Sequence, residues 1–139
     1  MTDNVFGIDE ATSLLQEQFA PWVQDLNMKF EEVADGAVLV RVPMSETLSR
    51  SGNIICGQAM MAVADTAMVF AISSALGEFK PMTTVSQSTS FLRPAAEKDL
   101  MARASLIKLG RSLVYGEVNL YSDVSEKSVA HVTSTYMLL

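Results

Sequence analysis

The most constraining feature of this sequence is a twenty-residue stretch, from Gly57 to Leu76, that is apolar or small almost throughout. Asp65 is its only charged residue. A membrane span is disfavoured, because an Asp near the centre of such a helix costs about 2.5–3.5 kcal/mol on insertion scales. Gly77, directly after the stretch, is a typical helix stop. We therefore predict one helix over 57–76 that is buried on most sides within a folded domain.

The chain on both sides of this helix alternates in the manner of β-strands. Asp35-Gly36 is a typical hairpin dipeptide and is predicted to join the first two strands. Strands are predicted over residues 28–33, 37–42, 83–92, 99–109, 113–121 and 128–138. In the strand over 83–92, alternation puts four residues on one face, namely Val85, Gln87, Thr89 and Phe91.

Two segments before the long helix are less regular. Apolar residues at helical spacing predict a short amphipathic helix over 8–19, which ends before Pro21. Residues 44–55 have no periodicity and are predicted to form a loop. The resulting order predicts an α+β fold, in which a curved antiparallel sheet of about six strands wraps around one long central helix.

Length, composition and charge narrow the function. The chain has 139 residues, 49% of them hydrophobic, which predicts a single domain over 1–139 with a substantial core. The net charge of -6 disfavours nucleic acids and anionic membrane surfaces as partners. Cys56 is the only cysteine, so no intrachain disulfide can form. The start Met1–Asn4 is acidic and lacks the basic region of a signal peptide, so we expect a cytoplasmic location.

The start of the long helix resembles a motif of the phenylacetate-degradation (PaaI-like) type of hotdog acyl-CoA thioesterases. In that family the helix usually begins His-Gly-Gly, and an acidic residue follows nine positions after the His. Here Cys56 stands at the His position, Gly57 matches the first Gly and Gln58 replaces the second, while Asp65 is the acidic residue. The Asn often found shortly before the His would fall near Arg50, with Asn53 close by.

Three further motifs follow in the order of the family. Thr84 matches a Ser or Thr position that often assists the carboxylate. The segments 91–95 and 109–113, FLRPA and LGRSL, resemble its strand-end motif and its basic hairpin turn. The resemblance extends from about residue 35 to the C-terminus. It implies a hotdog fold, thioesterase activity on an acyl-CoA and a two-fold dimer, with two dimers paired into a tetramer.

Asp65 is the most informative candidate residue. An ionised carboxylate in an apolar environment is costly to bury unless it is paired or hydrogen-bonded. As a catalyst, Asp65 would attack the thioester carbonyl or activate a water for that attack. The alternative is a structural carboxylate that hydrogen-bonds a neighbouring strand or loop.

Gly57 is the second candidate, because backbone N–H groups at a helix N-terminus are unpaired and can bind an oxyanion. It is equally consistent with an ordinary helix-start glycine. Eight residues of helix place Gly57 roughly 12 Å from Asp65, too far for one chain to grip a single carbonyl. The resemblance implies the solution, in which each site takes its oxyanion donor from one chain of the dimer and its carboxylate from the other.

The remaining candidates have weaker support. Thr84, or its neighbour Thr83, is predicted to assist Asp65 or the attacking water, although threonine is also a common strand residue. Two arginines, in the strand-end motif and the hairpin turn, are predicted to bind coenzyme A phosphates, and either could instead be a solvated surface residue. They are Arg93 and Arg111. Asn53 would orient the thioester or hold its loop.

Cys56 and Gln58 are predicted to line the substrate site at the helix start. Catalysis by the Cys56 thiol would need a base, and the only histidine, His131, is on the last strand. One cysteine and one histidine do not make a metal site, so no metal or cofactor is predicted.

The sequence therefore predicts an acyl-CoA thioesterase that releases a free acid and coenzyme A and works as a homodimer within a dimer of dimers. A non-catalytic acyl-CoA binding module of the same fold is the main alternative. A hotdog hydratase is disfavoured because such enzymes usually pair a His with a carboxylate. An assembly subunit without a ligand is the third alternative.

Overall fold

The computed structural model describes residues 6–95 and 98–139, so the acidic start Met1–Asn4 lies outside the described residues. The elements follow in chain order: α1 (Ile8–Gln18), α2 (Pro21–Gln24), β1 (Lys29–Ala34), β2 (Ala37–Val42), a 3₁₀ turn (Glu46–Leu48), β3 (Ser49–Arg50), β4 (Ile54–Ile55), α3 (Gly57–Leu76), β5 (Met82–Phe91), β6 (Leu100–Leu109), β7 (Leu113–Ser122) and β8 (Ser125–Leu138).

Six of these strands form one antiparallel sheet in the order β1-β2-β6-β7-β8-β5. Every neighbouring pair in the sheet is antiparallel. The sheet lies against α3, and the buried face of its central strands supplies much of the core. The predicted α+β class, with about six strands around one long helix, is confirmed.

Helix α3 has the predicted bounds and forms the centre of the core. Gly77 ends it with a left-handed φ of 81°, which glycine adopts without a steric penalty. By length and composition the helix is apolar enough to cross a membrane, yet 67% of its most apolar window is buried within the fold. Val63, Ala67 and Met68 have no exposed surface.

The polar residues at the C-terminal end of α3 are satisfied locally. Ser74 accepts a hydrogen bond from the backbone N–H of Gly36 at 2.8 Å and donates one to the carbonyl of Ala71. The tight β1–β2 turn, in which Asp35 and Gly36 have φ values of 44° and 88°, is thereby fastened to the helix. Ser73 and Ser74 can be buried because the hydroxyl of each donates a hydrogen bond to a backbone carbonyl of the helix.

The N-terminal helices cover one flank of the core. The predicted helix over 8–19 is α1, Ile8–Gln18, and it packs against β1. Beyond it, Phe19 and Phe30 enclose the ring of Phe70, with ring centroids 5.3 and 4.6 Å away. Pro21 follows the first helix, as predicted, and also begins α2. At the first position of a helix the N–H has no helical acceptor, so a proline there loses no hydrogen bond.

The expectation of an irregular loop over 44–55 is wrong. This segment contains the 3₁₀ turn and the short ladder of β3 and β4, which a period-based prediction cannot detect in elements of two or three residues. The backbone N–H of Ile55 donates to Ala95, and that of Cys56 donates to Leu48. The first bond holds the segment before α3 against the β5–β6 connection, and the second holds the N-cap of α3 against the 3₁₀ turn.

The two edges of the sheet differ. Strand β1 is covered by α1, whereas β5 pairs only with β8 and has no described element beyond it. Its apolar residues Val85 and Phe91 are 53% and 51% exposed. An uncovered edge of ten residues presents unpaired N–H and C=O groups that can pair with another chain.

We expect Gly116→Ala to destabilise the fold by about 1–3 kcal/mol, as overpacking in a tight core does. A Cβ at this position would lie 2.5 Å from Cε of Met68 and 2.8 Å from the backbone oxygen of Ser105. Chemical denaturation measures the loss. The control is Gly7→Ala, where the nearest atom lies 3.4 Å away. Equal stability of wild type and Gly116→Ala would contradict this account of the packing.

Candidate active site

Asp65 lies on α3 where the helix faces the β5 edge of the sheet, and its side chain is half-buried. The Thr84 hydroxyl donates to Oδ1 of Asp65 at 2.8 Å. The Tyr136 hydroxyl is placed to donate to the same Oδ1 and to the backbone oxygen of Asp65, at 2.6 Å from the latter. The carboxylate is therefore held between the edge strand and the last strand.

A β-bulge in β5 brings Thr84 to this position. Thr84 pairs with Tyr136, but Ser86 pairs with Thr135, so Val85 is left out of the ladder. Residues directly opposite each other share a face, which puts Thr84 beside Tyr136 on the helix side. The predicted grouping of Val85 with Gln87, Thr89 and Phe91 is therefore wrong at Val85. Thr83 pairs with Met137, on the face opposite to that of Thr84.

Tyr136 was not predicted as a site residue. It is 1% exposed, and burial raises the pKa of its phenol well above the usual range, with a further increase from the negative charge of Asp65. The hydroxyl therefore stays protonated and serves as a donor. The one available signal was chemical: a tyrosine in a buried strand position needs a polar partner for its hydroxyl.

The other end of the site is the N-terminus of α3. The hydrogen bonds found among the described residues leave the Gly57 N–H without an acceptor. A Cβ at Gly57 would lie 3.1 Å from the ring of Phe91. A cavity of about 390 Å³ opens here, within the range of small-molecule sites, and its lining is mainly apolar apart from two arginines. The lining includes Arg50, Ile54, Met60, Phe91 and Arg93.

Helix α3 runs antiparallel along β5. Gly57 lies beside Phe91, the Met61 carbonyl accepts a long hydrogen bond from Gln87 at 3.4 Å, and Asp65 bonds Thr84. The helix is continuous between Gly57 and Asp65, which keeps them roughly 12 Å apart. One chain thus holds the Gly57 N–H near one end of its free edge and the Asp65 carboxylate near the other.

The Thioesterase superfamily model matches residues 52–129, more than half of the chain and nearly all of the segment that carries this geometry. The chain belongs to the thioesterase superfamily. A proposed esterase of Halobacterium salinarum is 31% identical over 127 residues, which cover 82% of this chain and 80% of the relative. A proposed esterase of Thermoplasma acidophilum is 30% identical over 94 residues, covering 66% and 70%.

Solved structures agree with this assignment. A proposed thioesterase from Silicibacter sp. TM1040 matches with a TM-score of 0.86 and 32% identity, over 97% of this chain and 93% of the other. The Escherichia coli PaaI protein of the phenylacetic acid degradation operon matches with a TM-score of 0.82 over 94% and 91%, but its 17% identity supports the fold alone. The chain therefore has the hotdog fold of this superfamily and belongs to its enzyme class, the thioester hydrolases, as predicted.

Three predicted substrate-binding residues of this thioesterase-superfamily chain, Asn53, Cys56 and Gln58, lie close to Gly57 in sequence, but their environments differ. Cys56 is the N-cap of α3 and is half-buried, while Gln58 is exposed on its first turn. Asn53 has a left-handed φ of 57° in the exposed turn between β3 and β4. That backbone conformation gives Asn53 a turn-forming role, whatever its part in binding.

The two predicted phosphate-binding arginines lie far apart. Arg93 follows β5 and donates to the carbonyl of Ser128 at 2.6 Å. Arg111 lies in the β6–β7 turn, beside the opposite end of β5, because Ser112 bonds Leu138 and Leu138 pairs with Met82. Ten residues of β5 separate these ends by about 30 Å. One chain cannot use both on one ligand, whereas Arg50, not predicted for this role, lines the same cavity as Arg93.

The described residues offer no base to the Cys56 thiol. His131 bonds Glu117 at 2.9 Å and pairs with Asn119, on the face of the sheet that points away from α3. Among residues 6–95 and 98–139 there is also no cluster of three or more potential metal ligands. Asp65 is the carboxylate among the predicted site residues, and its Oδ1 is bound by the hydroxyls of Thr84 and Tyr136.

We expect the free energy of unfolding to fall above about pH 10, the ordinary pKa of tyrosine, more steeply for wild type than for Tyr136→Phe. Below that pH the folded and the unfolded states both keep the phenolic proton, so the stabilisation by Tyr136 is fully present. Above it the unfolded chain releases the proton while folded Tyr136 retains it, which lowers stability by up to about 1.4 kcal/mol per pH unit.

Urea denaturation between neutral pH and pH 12 measures this slope. Tyr115→Phe, which removes an exposed phenol on the outer face, is the matched control and should keep the wild-type slope. An unchanged slope in Tyr136→Phe would show that the phenol is not retained as a proton donor in the folded state.

Proposed function

We propose that this chain hydrolyses acyl-CoA thioesters to the free acid and coenzyme A, with Asp65 as general base or nucleophile. The observation that carries this proposal is the oriented, half-buried carboxylate on an otherwise apolar helix, held by Thr84 and Tyr136 beside an open sheet edge. The described residues bond only Oδ1, which leaves the accepting capacity of Oδ2 free for a reacting group.

The chemistry needs few further groups. Asp65 takes a proton from water as the water oxygen adds to the thioester carbonyl, or adds to that carbonyl itself and is then released by water. The Gly57 N–H donates to the oxyanion of the tetrahedral intermediate, where the helix dipole favours negative charge. Collapse of the intermediate breaks the C–S bond, and the thiolate of coenzyme A leaves and takes up a proton.

We further propose that the working unit is a two-fold dimer joined through β5. Along this edge Phe91 lies with Gly57 and Thr84 with Asp65, so a two-fold axis near Gln87 would set Phe91 of one chain opposite Thr84 of the second copy. Each Gly57 would then face the Asp65 of the other chain. The exposed Val85 and Phe91 and the unpaired edge support this arrangement. Pairing of two dimers remains a further proposal.

The acyl-CoA class is supported by the cavity at the helix start. Its apolar lining suits an acyl chain, and Arg50 and Arg93 at its rim suit phosphate groups, which arginine binds by paired hydrogen bonds. The chain itself is acidic overall, with a net charge of -6, so attraction of an anionic ligand depends on such local cations.

We expect Asp65→Asn to lower thiol release from acyl-CoAs by about a thousandfold or more, because the amide can neither accept the proton nor attack. Release of coenzyme A from a panel of aliphatic and aromatic acyl-CoAs, detected with a thiol reagent, measures this. Asp25→Asn, an exposed aspartate outside the site, is the control and should retain wild-type activity.

Undiminished hydrolysis by Asp65→Asn would refute the mechanism. If the wild type releases no thiol from any substrate yet binds coenzyme A in calorimetry, the non-catalytic binding module becomes the better description.

A complementation experiment tests the shared site. Asp65→Asn and Gly57→Val should each be inactive alone, the latter because a larger side chain would collide with the Phe91 ring. When the two variants are refolded together, random pairing gives half heterodimers, each with one intact site, so activity should return to about a quarter of wild type.

A mixture that stays inactive would place both groups of a site in one chain. Two controls accompany this experiment. Each variant is refolded alone, and the mass of the wild-type protein in solution is measured. That mass is expected to be at least twice the 15.1 kDa of one chain.

A further inference from the structure

We propose that Tyr136 is a positioning residue that, together with Thr84, fixes Oδ1 of Asp65 and thereby assigns Oδ2 as the oxygen that reacts. This inference rests on the proposed function, since it names the support on which the Asp65 chemistry depends.

Both donors converge on one oxygen. Thr84 reaches Oδ1 from the edge strand and Tyr136 reaches it from β8, which lies next to β5 in the sheet. Among the described residues, no donor bonds Oδ2. A carboxylate whose first oxygen is occupied twice has its accepting capacity free on the second. The arrangement therefore distinguishes two oxygens that are chemically equal in a free carboxylate.

Tyr136 is better suited than Thr84 to fix the geometry. Its ring is packed in the core with 1% exposure, and its strand is flanked by hydrogen-bonded neighbours on both sides. The same hydroxyl also lies 2.6 Å from the backbone oxygen of Asp65. The Tyr136 hydroxyl thus holds both the main chain and the side chain of Asp65, which restricts rotation about the side-chain bonds of Asp65.

The phenol acts through Asp65 and not on the substrate. A side chain this deeply buried, on the sheet side of Asp65, has no surface to offer to a thioester. Its hydroxyl also stays a donor over the working pH range, because burial keeps its pKa well above the usual range for tyrosine. Tyr136 therefore orients the carboxylate without exchanging protons during turnover.

Kinetics of four variants test the inference. Tyr136→Phe removes only the hydroxyl and keeps the ring, and Thr84→Val removes the other donor with little change in volume. For each we expect kcat to fall about 10- to 100-fold while KM changes less than about threefold, since loss of alignment affects the reacting step. The double variant should lose clearly less than the product of the two single losses, because both donors serve one oxygen.

Tyr115→Phe is the matched control, because it removes a phenol from the outer face of the neighbouring strand and should keep wild-type kcat and KM. A kcat for Tyr136→Phe equal to that of wild type would overturn the inference. So would a KM increase with kcat unchanged, which would mean that Tyr136 supports binding alone. A lower melting temperature with unaltered kcat would reduce the residue to a structural role.

Proton NMR tests the contact without any substrate. A phenolic proton donated to a carboxylate in a buried site should exchange slowly and resonate downfield. We expect one such resonance in the wild type, absent in Tyr136→Phe and displaced in Asp65→Asn. Its absence from the wild type would overturn the inference even in an active enzyme. Its presence in a protein that hydrolyses no acyl-CoA would refute the proposed function and leave the positioning of Asp65 intact.

Discussion

Burial of helix α3 is the constraint on which the rest of this structure depends. The helix is apolar on nearly all sides, so one flat layer could not remove it from water, and the sheet must curve around it. Five strands, together with Phe19 after α1, cover much of its circumference, and β5 covers the remaining side as an open edge. Asp65 faces this incompletely covered side, where a carboxylate can keep contact with solvent.

The same geometry separates the two groups of the proposed site along one helix. The Gly57 N–H, which has no acceptor among the described residues, comes from the beginning of α3, and the Asp65 carboxylate comes from its middle. The edge strand β5 runs antiparallel to the helix, so the start of α3 lies beside the end of β5 and Asp65 lies beside its beginning. Under the proposed function, a single chain would hold halves of two different sites, and a two-fold axis is the simplest way to join them.

Periodicity was sufficient to predict the large elements. The bounds of α3 follow from its unbroken apolar character and Gly77, and Asp65 was identifiable as the one charge within that stretch. Other features depend on distant contacts. Tyr136 has the pattern of an ordinary strand residue, and only the fold shows that it meets a helix residue 71 positions earlier. The positions of Arg93 and Arg111 at opposite ends of β5 likewise depend on strand order, which spacing does not reveal.

The bulge at Val85 has a consequence for comparing this chain with its relatives. It inserts one residue between Thr84 and the part of β5 that begins at Ser86, so Thr84 and not Val85 stands opposite Tyr136. In a homologue that lacks the extra residue, the equivalent hydroxyl would stand one position closer to the rest of the strand in sequence while occupying the same place in space. Alignments of this strand that forbid a gap here would equate that residue with Val85, and consensus sequences built on them would misplace this part of the site.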